Sequence, residues 1–531
     1  MADSFVVAST GVTTEQNELI ENIDKKTTAI ADHLGVSWDI EDVDTPRYGF
    51  CIDKVEAQPG YRVTYLGAAK GKEPAHMNYQ TGTFDYGGWK DIWFIKKNKP
   101  CMVKSATRQI DYYLEPNDYT RREGTTTTSD VNNPSYPGNA MATIPLCYLY
   151  QYEENGKQYC WICEKQYNSN YKAYAHTRAD GSIAPYFYWP LFGASSINSI
   201  ARSIGNQTLA QSQTAETQIN QAKANGTGWD IQSWSQRNLI QMLLILIGHS
   251  TDTQTTFGNG NCQEATSEEG LLKTGTLETK GQFWGSTANN QQVKVFHCEG
   301  VWGDQWLRTN GVFNMADGSG IIVKMTPPYN LTGSGYIKTG IVPSGTSGGY
   351  ISQTKMSEYG MIPSVYSGSG TTYYCDGGWF NNSQFDMLFA GAGADNTPAF
   401  GGALSFVVRS TPAWTVWCIG SAKNSCSLLV RALTPLPGLV LWRFLWTTLR
   451  RTRGGPSVPL IAGAGADSAY DWDGAFTFDV NNLSLEAWWH IGSAICSLLV
   501  EVLTTLLSLV VLLCLLYTFL SHGRGGTPVP P

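Results

Sequence analysis

Two stretches near the C-terminal end repeat each other at an offset of 72 residues, and this duplication restricts the possible folds more tightly than any other feature. Leu388 to Ala422 reads LFAGAGADNTPAFGGALSFVVRSTPAWTVWCIGSA, and Leu460 to Ala494 reads LIAGAGADSAYDWDGAFTFDVNNLSLEAWWHIGSA. The common frame is AGAGAD, Gly-Ala, a Phe, a Val, a Trp and IGSA. Each copy then runs through CSLLV and a Leu-rich stretch to RGG and a Pro/Val tail. Two copies are too few for a solenoid, so this is a local duplication. The retained residues are Gly, Ala, Ile, Phe and Val, types suited to turns and cores. The exchanged pairs include Asn396/Ser468, Pro398/Tyr470, Phe400/Trp472, Gly401/Asp473, Val407/Asp479, Arg409/Asn481, Ser410/Asn482, Trp414/Glu486, Val416/Trp488 and Cys418/His490. A carboxylate buried without a partner costs several kcal/mol, so such exchanges are expected only at exposed positions.

Around this frame the chain is long and poor in charge. Its 531 residues call for several folding units, and 55 Gly, 18 Trp, 27 Tyr and 19 Phe with 15% charged residues exclude a helical bundle. The net charge of −7 gives no basic field for a polyanion, which argues against a nucleic-acid partner. The balance shifts within residues 396 to 466, which hold seven basic residues and no acid. Twelve Cys without a framework spacing are expected to be mostly buried thiols. The opening MADSFVVAST lacks the features of a secretory signal, so export is not expected to be encoded there.

In residues 1–37, Ile20, Ile23, Thr27, Ile30 and Leu34 are spaced as in a short coiled-coil seam; a trimerising stalk and an amphipathic helix packed on its own domain both fit. Residues 38–140 read as a β-rich assembly module that ends in a Thr/Asn/Pro-rich linker. Beyond it, Asn155-Gly156 predicts a tight hairpin. Cys160 and Cys163 lie three apart in a strand pattern, which points them to opposite faces; the competing reading is a redox or half-zinc pair. Residues 229–247 predict a helix with Trp234, Leu239, Met242, Leu243 and Leu246 buried, ending at Gly248. His297, Cys298 and Glu299 would suit a metal, but their apolar alternating surroundings favour core packing.

The frame GA-x-x-F-x-V followed by W-x-IG resembles the variable region of C-type-lectin-fold proteins diversified by retroelements, best known from phage tropism determinants. Upstream, the helix and Trp302, Gly303, Asp304 and Trp306 of VWGDQWLRTNGV are similar to the formylglycine-generating-enzyme branch of that fold. DGGWFNN is similar to the approach to its variable segment, and the N-terminal 140 residues to modules of prophage tail-fibre-like proteins. The resemblance implies an α+β chain. A β-rich N-terminal module precedes a C-type-lectin-like domain over 141–423 with its variable segment at 388–422. A Leu/Arg-rich insertion (424–459), a second variable-like repeat (460–495) and a hydrophobic helix with a Pro/Gly tail (496–531) follow.

It also implies a non-enzymatic receptor-binding protein, without cofactor or metal, that recognises a protein or glycan on a bacterial surface as an oligomer, with a trimer as one form. Asp395 and the exchanged positions of the first copy, with Tyr470, Trp472, Asp473, Asp479, Asn481, Asn482, Glu486, Trp488 and His490 of the second, are the expected contact residues. Trp417, unchanged as Trp489, suits contact and core equally. The enzymatic branch relies on a Cys pair near the C-terminal end. No pair here is placed as that one is, and Cys418 is exchanged for His490; an enzyme of the formylglycine-generating type is the further alternative, with His297, Glu299 and Asp304 as its nearest candidate groups.

Residues 502 to 520 carry no charge over 19 positions, roughly 30 Å of helix, enough to cross a bilayer. A membrane anchor displaying the same face on a host cell is therefore the alternative to a virion tail. A buried or interface helix and a translated by-product of the duplication also fit.

Overall fold

The computed structural model describes residues 45–265, 270–345, 348–383, 385–394, 400–408, 415–416 and 419–420. These residues form a sheet-rich fold with few helices. The coiled-coil positions, the second copy and the 502–520 stretch lie outside them.

Three sheets carry the architecture. In a four-stranded sheet, Val63–Gly67, Tyr48–Asp53, Lys157–Cys163 and Tyr148–Glu154 lie side by side, all antiparallel. Asn155 and Gly156 close the last hairpin at φ 49° and 75°, the left-handed pair that a two-residue turn requires. Cys160 and Cys163 are both buried in this strand, and Cys51, Cys101, Cys147, Cys262, Cys298 and Cys375 are buried elsewhere. In a five-stranded sheet the order is Tyr186–Pro190, Gly138–Pro145, Lys99–Lys104, Ile110–Glu115 and Asp118–Arg122.

Both sheets cross the boundary expected near residue 140. That position falls inside Gly138–Pro145, a strand buried along its whole length between one neighbour from each side of the boundary. Tyr48–Asp53 likewise pairs with Lys157–Cys163. The described parts of 38–140 and 141–423 therefore share their sheets, because the Thr/Asn/Pro-rich stretch is a loop between strands and not a linker between modules.

The third sheet is a curled half-barrel. Its order is Ile337–Lys338, Gly320–Val323, Trp306–Met315, Asp386–Ala390, Phe406–Val408, Gly377–Phe380, Gly348–Ser357, Gly360–Tyr366 and Ser344–Gly345. Thr415–Val416 adds in parallel to Trp306–Leu307.

Against these sheets lies the helix Trp234–Gly248, all fifteen of whose residues are buried. It starts later than the apolar pattern from Trp229 predicts. The Ser233 hydroxyl accepts from the Gln236 N–H while the Gln236 side chain accepts from the Ser233 N–H, a capping box that fixes the first turn. Asp230–Ile231 just before it is a strand paired with Ile419–Gly420. The helix ends as expected at Gly248, with His249 in the left-handed conformation.

Candidate functional site

The first copy of the duplicated frame threads through the half-barrel. Asp386–Ala390 pairs antiparallel with Trp306–Met315, and Phe406–Val408 then inserts between Asp386–Ala390 and Gly377–Phe380. The frame's fixed residues hold this path. Leu388, Ala390, Ala392, Ala394, Ala403 and Phe406 are each at most 1% exposed. Gly402 takes φ 142°, and a Cβ there would meet the Asp376 carboxylate at 1.9 Å. Arg237 on the long helix donates to the carbonyls of Val301 (2.7 Å) and Ala403 (2.8 Å), and Gln241 donates to the same Ala403 carbonyl. Asp376 accepts from the Leu404 N–H at 2.7 Å, and burial pushes its carboxyl well above the usual range.

Phe400 is half-buried and belongs to an aromatic patch. Its ring stacks on Tyr350 at 4.7 Å and 15°, and lies 5.0 Å from Trp379, which packs edge-on against Trp306 at 5.8 Å. Gly377 makes room for it, since a Cβ there would fall 1.6 Å from the Phe400 ring. Tyr350 and Trp379 are both half-buried. Neither was among the expected contact residues. Trp379 lies in the DGGWF string, Tyr350 in no motif, and their proximity depends on strand order.

Val407 departs from expectation. It is 1% exposed and packs with Cys262, Trp306, Phe389 and Ala392. The reason is topological. Phe406–Val408 is an interior strand covered on both faces, with Phe406 against Trp234 at 6.0 Å on the helix side and Val407 on the other. Gly401 is buried as well, and a Cβ there would meet the Cys262 sulfur at 2.8 Å. An aspartate, the residue the second copy carries at each of these two positions, would not fit the buried sites of Val407 and Gly401. Val416 lies in the Thr415–Val416 strand. Asp395, Asn396, Pro398, Arg409, Ser410, Trp414, Trp417 and Cys418, with Tyr470, Trp472, Asp473, Asp479, Asn481, Asn482, Glu486, Trp488 and His490, lie outside the described residues.

The ionisable residues upstream serve the core. Lys294–Val295 and Cys298–Glu299 form a tight hairpin with Phe296 and His297 at its turn (φ 51° and 71°), rather than one alternating strand. His297 Nδ1 lies 2.7 Å from the Tyr119 hydroxyl, and burial holds its ring pKa well below the usual value. Glu299 accepts from the Gly275 and Leu277 N–H groups at 2.9 and 2.8 Å, and burial raises its carboxyl to about 7. Asp304 accepts from Asn261, Leu272 and Gln292 at 2.7 to 3.0 Å, and burial raises it to about 6. Among the described residues no group of three His, Cys, Asp or Glu could hold a metal ion.

The arrangement offers contact chemistry: half-buried Tyr350, Trp379 and Phe400 rings beside an interior strand, next to chain that differs between the two copies. No family model matches the sequence, and no curated protein matches it significantly.

Proposed function

We propose that this chain is a ligand-binding protein of a phage or prophage tail, with a C-type-lectin-like domain whose segment 388–422 and its copy form a receptor-contact face diversified by a retroelement. The observation that carries the reading is the exchanged Phe400 on an aromatic patch beside the fixed core residues of the first copy, with the exchanged Gly401 and Val407 buried among the latter. The fixed Leu388, Ala390, Ala392, Ala394, Ala403 and Phe406 are core, whereas the exchanged Phe400 sits on a half-open aromatic patch. Aromatic side chains give large contact area at low entropic cost, and repeated copies of a weak site gain strength by multivalency. The ligand is a protein or glycan of a bacterial surface, and the role is binding rather than catalysis.

The DNA around the coding sequence tests this. The expected finding is a reverse-transcriptase gene and a template repeat that differs from the codons of 388–422 or 460–494 at adenines alone. Differences at all four bases overturn it. A second reading rests on the uncharged run 502–520, which would anchor the same face in a membrane. Among the described residues no helix is long and apolar enough to cross one. Full-length protein that needs detergent, beside a chain ending at Ala422 that does not, would favour the anchor.

A further inference from the structure

A cleft of about 830 Å³ lies between the turn at Arg108, the loop after Tyr174–His176, the segment from Lys223 to Ser233 and the Pro327–Tyr329 turn. Its volume is that of a site for a molecule with a body, well beyond a single small anion. One wall is Asp230–Ile231, the strand paired with Ile419–Gly420, so the cleft adjoins the end of the duplicated frame, and none of its described lining residues is an exchanged position.

The walls are held in place by the protein itself. The Trp229 indole donates to the Ser105 carbonyl at 2.9 Å, and the Tyr188 hydroxyl donates to the Arg108 carbonyl at 3.1 Å. Gly228, at φ 85°, lets the Arg108 guanidinium lie against the loop backbone, since a Cβ there would stand 2.4 Å from Nη1.

The charges are unequal in their commitments. Asp230 accepts from the Ile231 N–H and from Asn310, both at 2.8 Å, and Asp180 accepts from the backbone and hydroxyl of Ser182. Arg108 and Lys223, in contrast, form no ion pair among the described residues. The first turn of the long helix, which opens on the same space through Ser235, contains no acid, and its N-cap is closed by Ser233 and Gln236. The lining also holds the rings of Tyr174, Tyr329 and Pro328, beside the hydroxyls of Thr177, Thr227, Ser233 and Ser235.

We propose that this cleft binds an acidic oligosaccharide, with Arg108 and Lys223 taking sugar carboxylates and Tyr174, Tyr329 and Pro328 lying against sugar ring faces. A carboxylated sugar combines the anionic groups the two cations lack with a body that has both flat apolar faces and hydroxyls. The described lining residues include no exchanged position, and the assignment does not depend on those positions being diversified.

Calorimetry on the full chain tests this with oligogalacturonate, oligomannuronate and sialyllactose as probes, against a neutral glucan of equal length, polyglutamate and a nucleoside monophosphate. Binding of at least one acidic sugar is expected, weakened by about tenfold or more in Arg108→Gln and in Lys223→Gln, the cost of one charge-assisted contact. Lys223 is exposed, so its variant keeps the fold even if the Arg108 variant does not. Phe400→Ala should bind these probes as the parent does, which separates failure here from failure of the diversified-face reading. Equal binding of the neutral glucan, polyglutamate or the nucleotide, unchanged binding by Lys223→Gln, or no binding of any acidic sugar would overturn the assignment.

Discussion

Two neighbouring positions of the duplicated frame, Phe400 and Val407, separate a replaceable side chain from a fixed one. Giving the first copy the second copy's residue has opposite consequences at the two sites. Phe400→Trp enlarges a half-buried ring on an open patch and is expected to change stability by less than about 1 kcal/mol. Val407→Asp sets a carboxylate among Cys262, Trp306 and Phe389 and is expected to cost roughly 3 kcal/mol or more, read as a lowered urea midpoint at unchanged slope. A loss below about 1 kcal/mol for Val407→Asp as well would show that the strand is not interior. A second residue-scale effect comes from Asp304, whose carboxyl burial raises to about 6. An unfolded aspartate titrates near about 4. Between these values the folded protein holds the extra proton, so this contribution is fully present below about pH 4 and is lost as pH rises through about 6, by an amount of the order of 3 kcal/mol. Asp304→Asn retains an acceptor for Asn261 and Leu272 and removes the titration. Thermal midpoints measured from pH 4 to pH 7 should therefore fall less steeply in the variant than in the parent.

Among the elements, the long helix and the duplicated frame are tied by one side chain. Arg237, fully buried, reaches from the helix to the carbonyls of Val301 and Ala403. Arg237→Met keeps most of the volume and removes both bonds, and is expected to cost roughly 3 kcal/mol. Hydrogen exchange should show the loss first at the Phe406–Val408 strand, whereas uniform loosening would mean the tie is not local. What was legible in the sequence at this scale follows the range of the interactions. The Asn155-Gly156 hairpin and the end of the helix at Gly248 depend on neighbours within a few residues, and both stand where the turn residues put them. The helix start was also written locally, in Ser233 and Gln236, but the apolar pattern from Trp229 masked it. The place of Phe406–Val408 was not legible. Its parallel partner is Gly377–Phe380 and its antiparallel partner Asp386–Ala390, a choice made by sheet closure and not by any period in the strand. That is why Val407 looked like a surface position and why Tyr350 and Trp379 went unnoticed beside Phe400.

For the molecule as a whole, the shared sheets decide how the described part unfolds. Composition suggested a break near residue 140, and a chain cut there would lose two sets of strand pairs at once. Gly138–Pro145 would be cut within the strand and parted from Lys99–Lys104 or from Tyr186–Pro190, and Tyr48–Asp53 would lose Lys157–Cys163. The buried cores do not respect the break either. One cluster runs from Phe50 and Trp89 through Ile162 and Trp189 to Leu243, Trp302 and Phe406. Neither half can close its sheets or cover this cluster alone, so each is left with open strand edges and exposed aromatics, the condition for aggregation. Fragments 1–140 and 141–531 are therefore expected to be insoluble when expressed separately and to recover solubility only when produced together. In the intact chain, far-ultraviolet circular dichroism and tryptophan fluorescence should report one coincident transition for this part of the molecule, since its tryptophans lie on both sides of residue 140. A stable, soluble 1–140 fragment with its own cooperative transition would contradict the shared sheets and restore the two-module description that composition suggested.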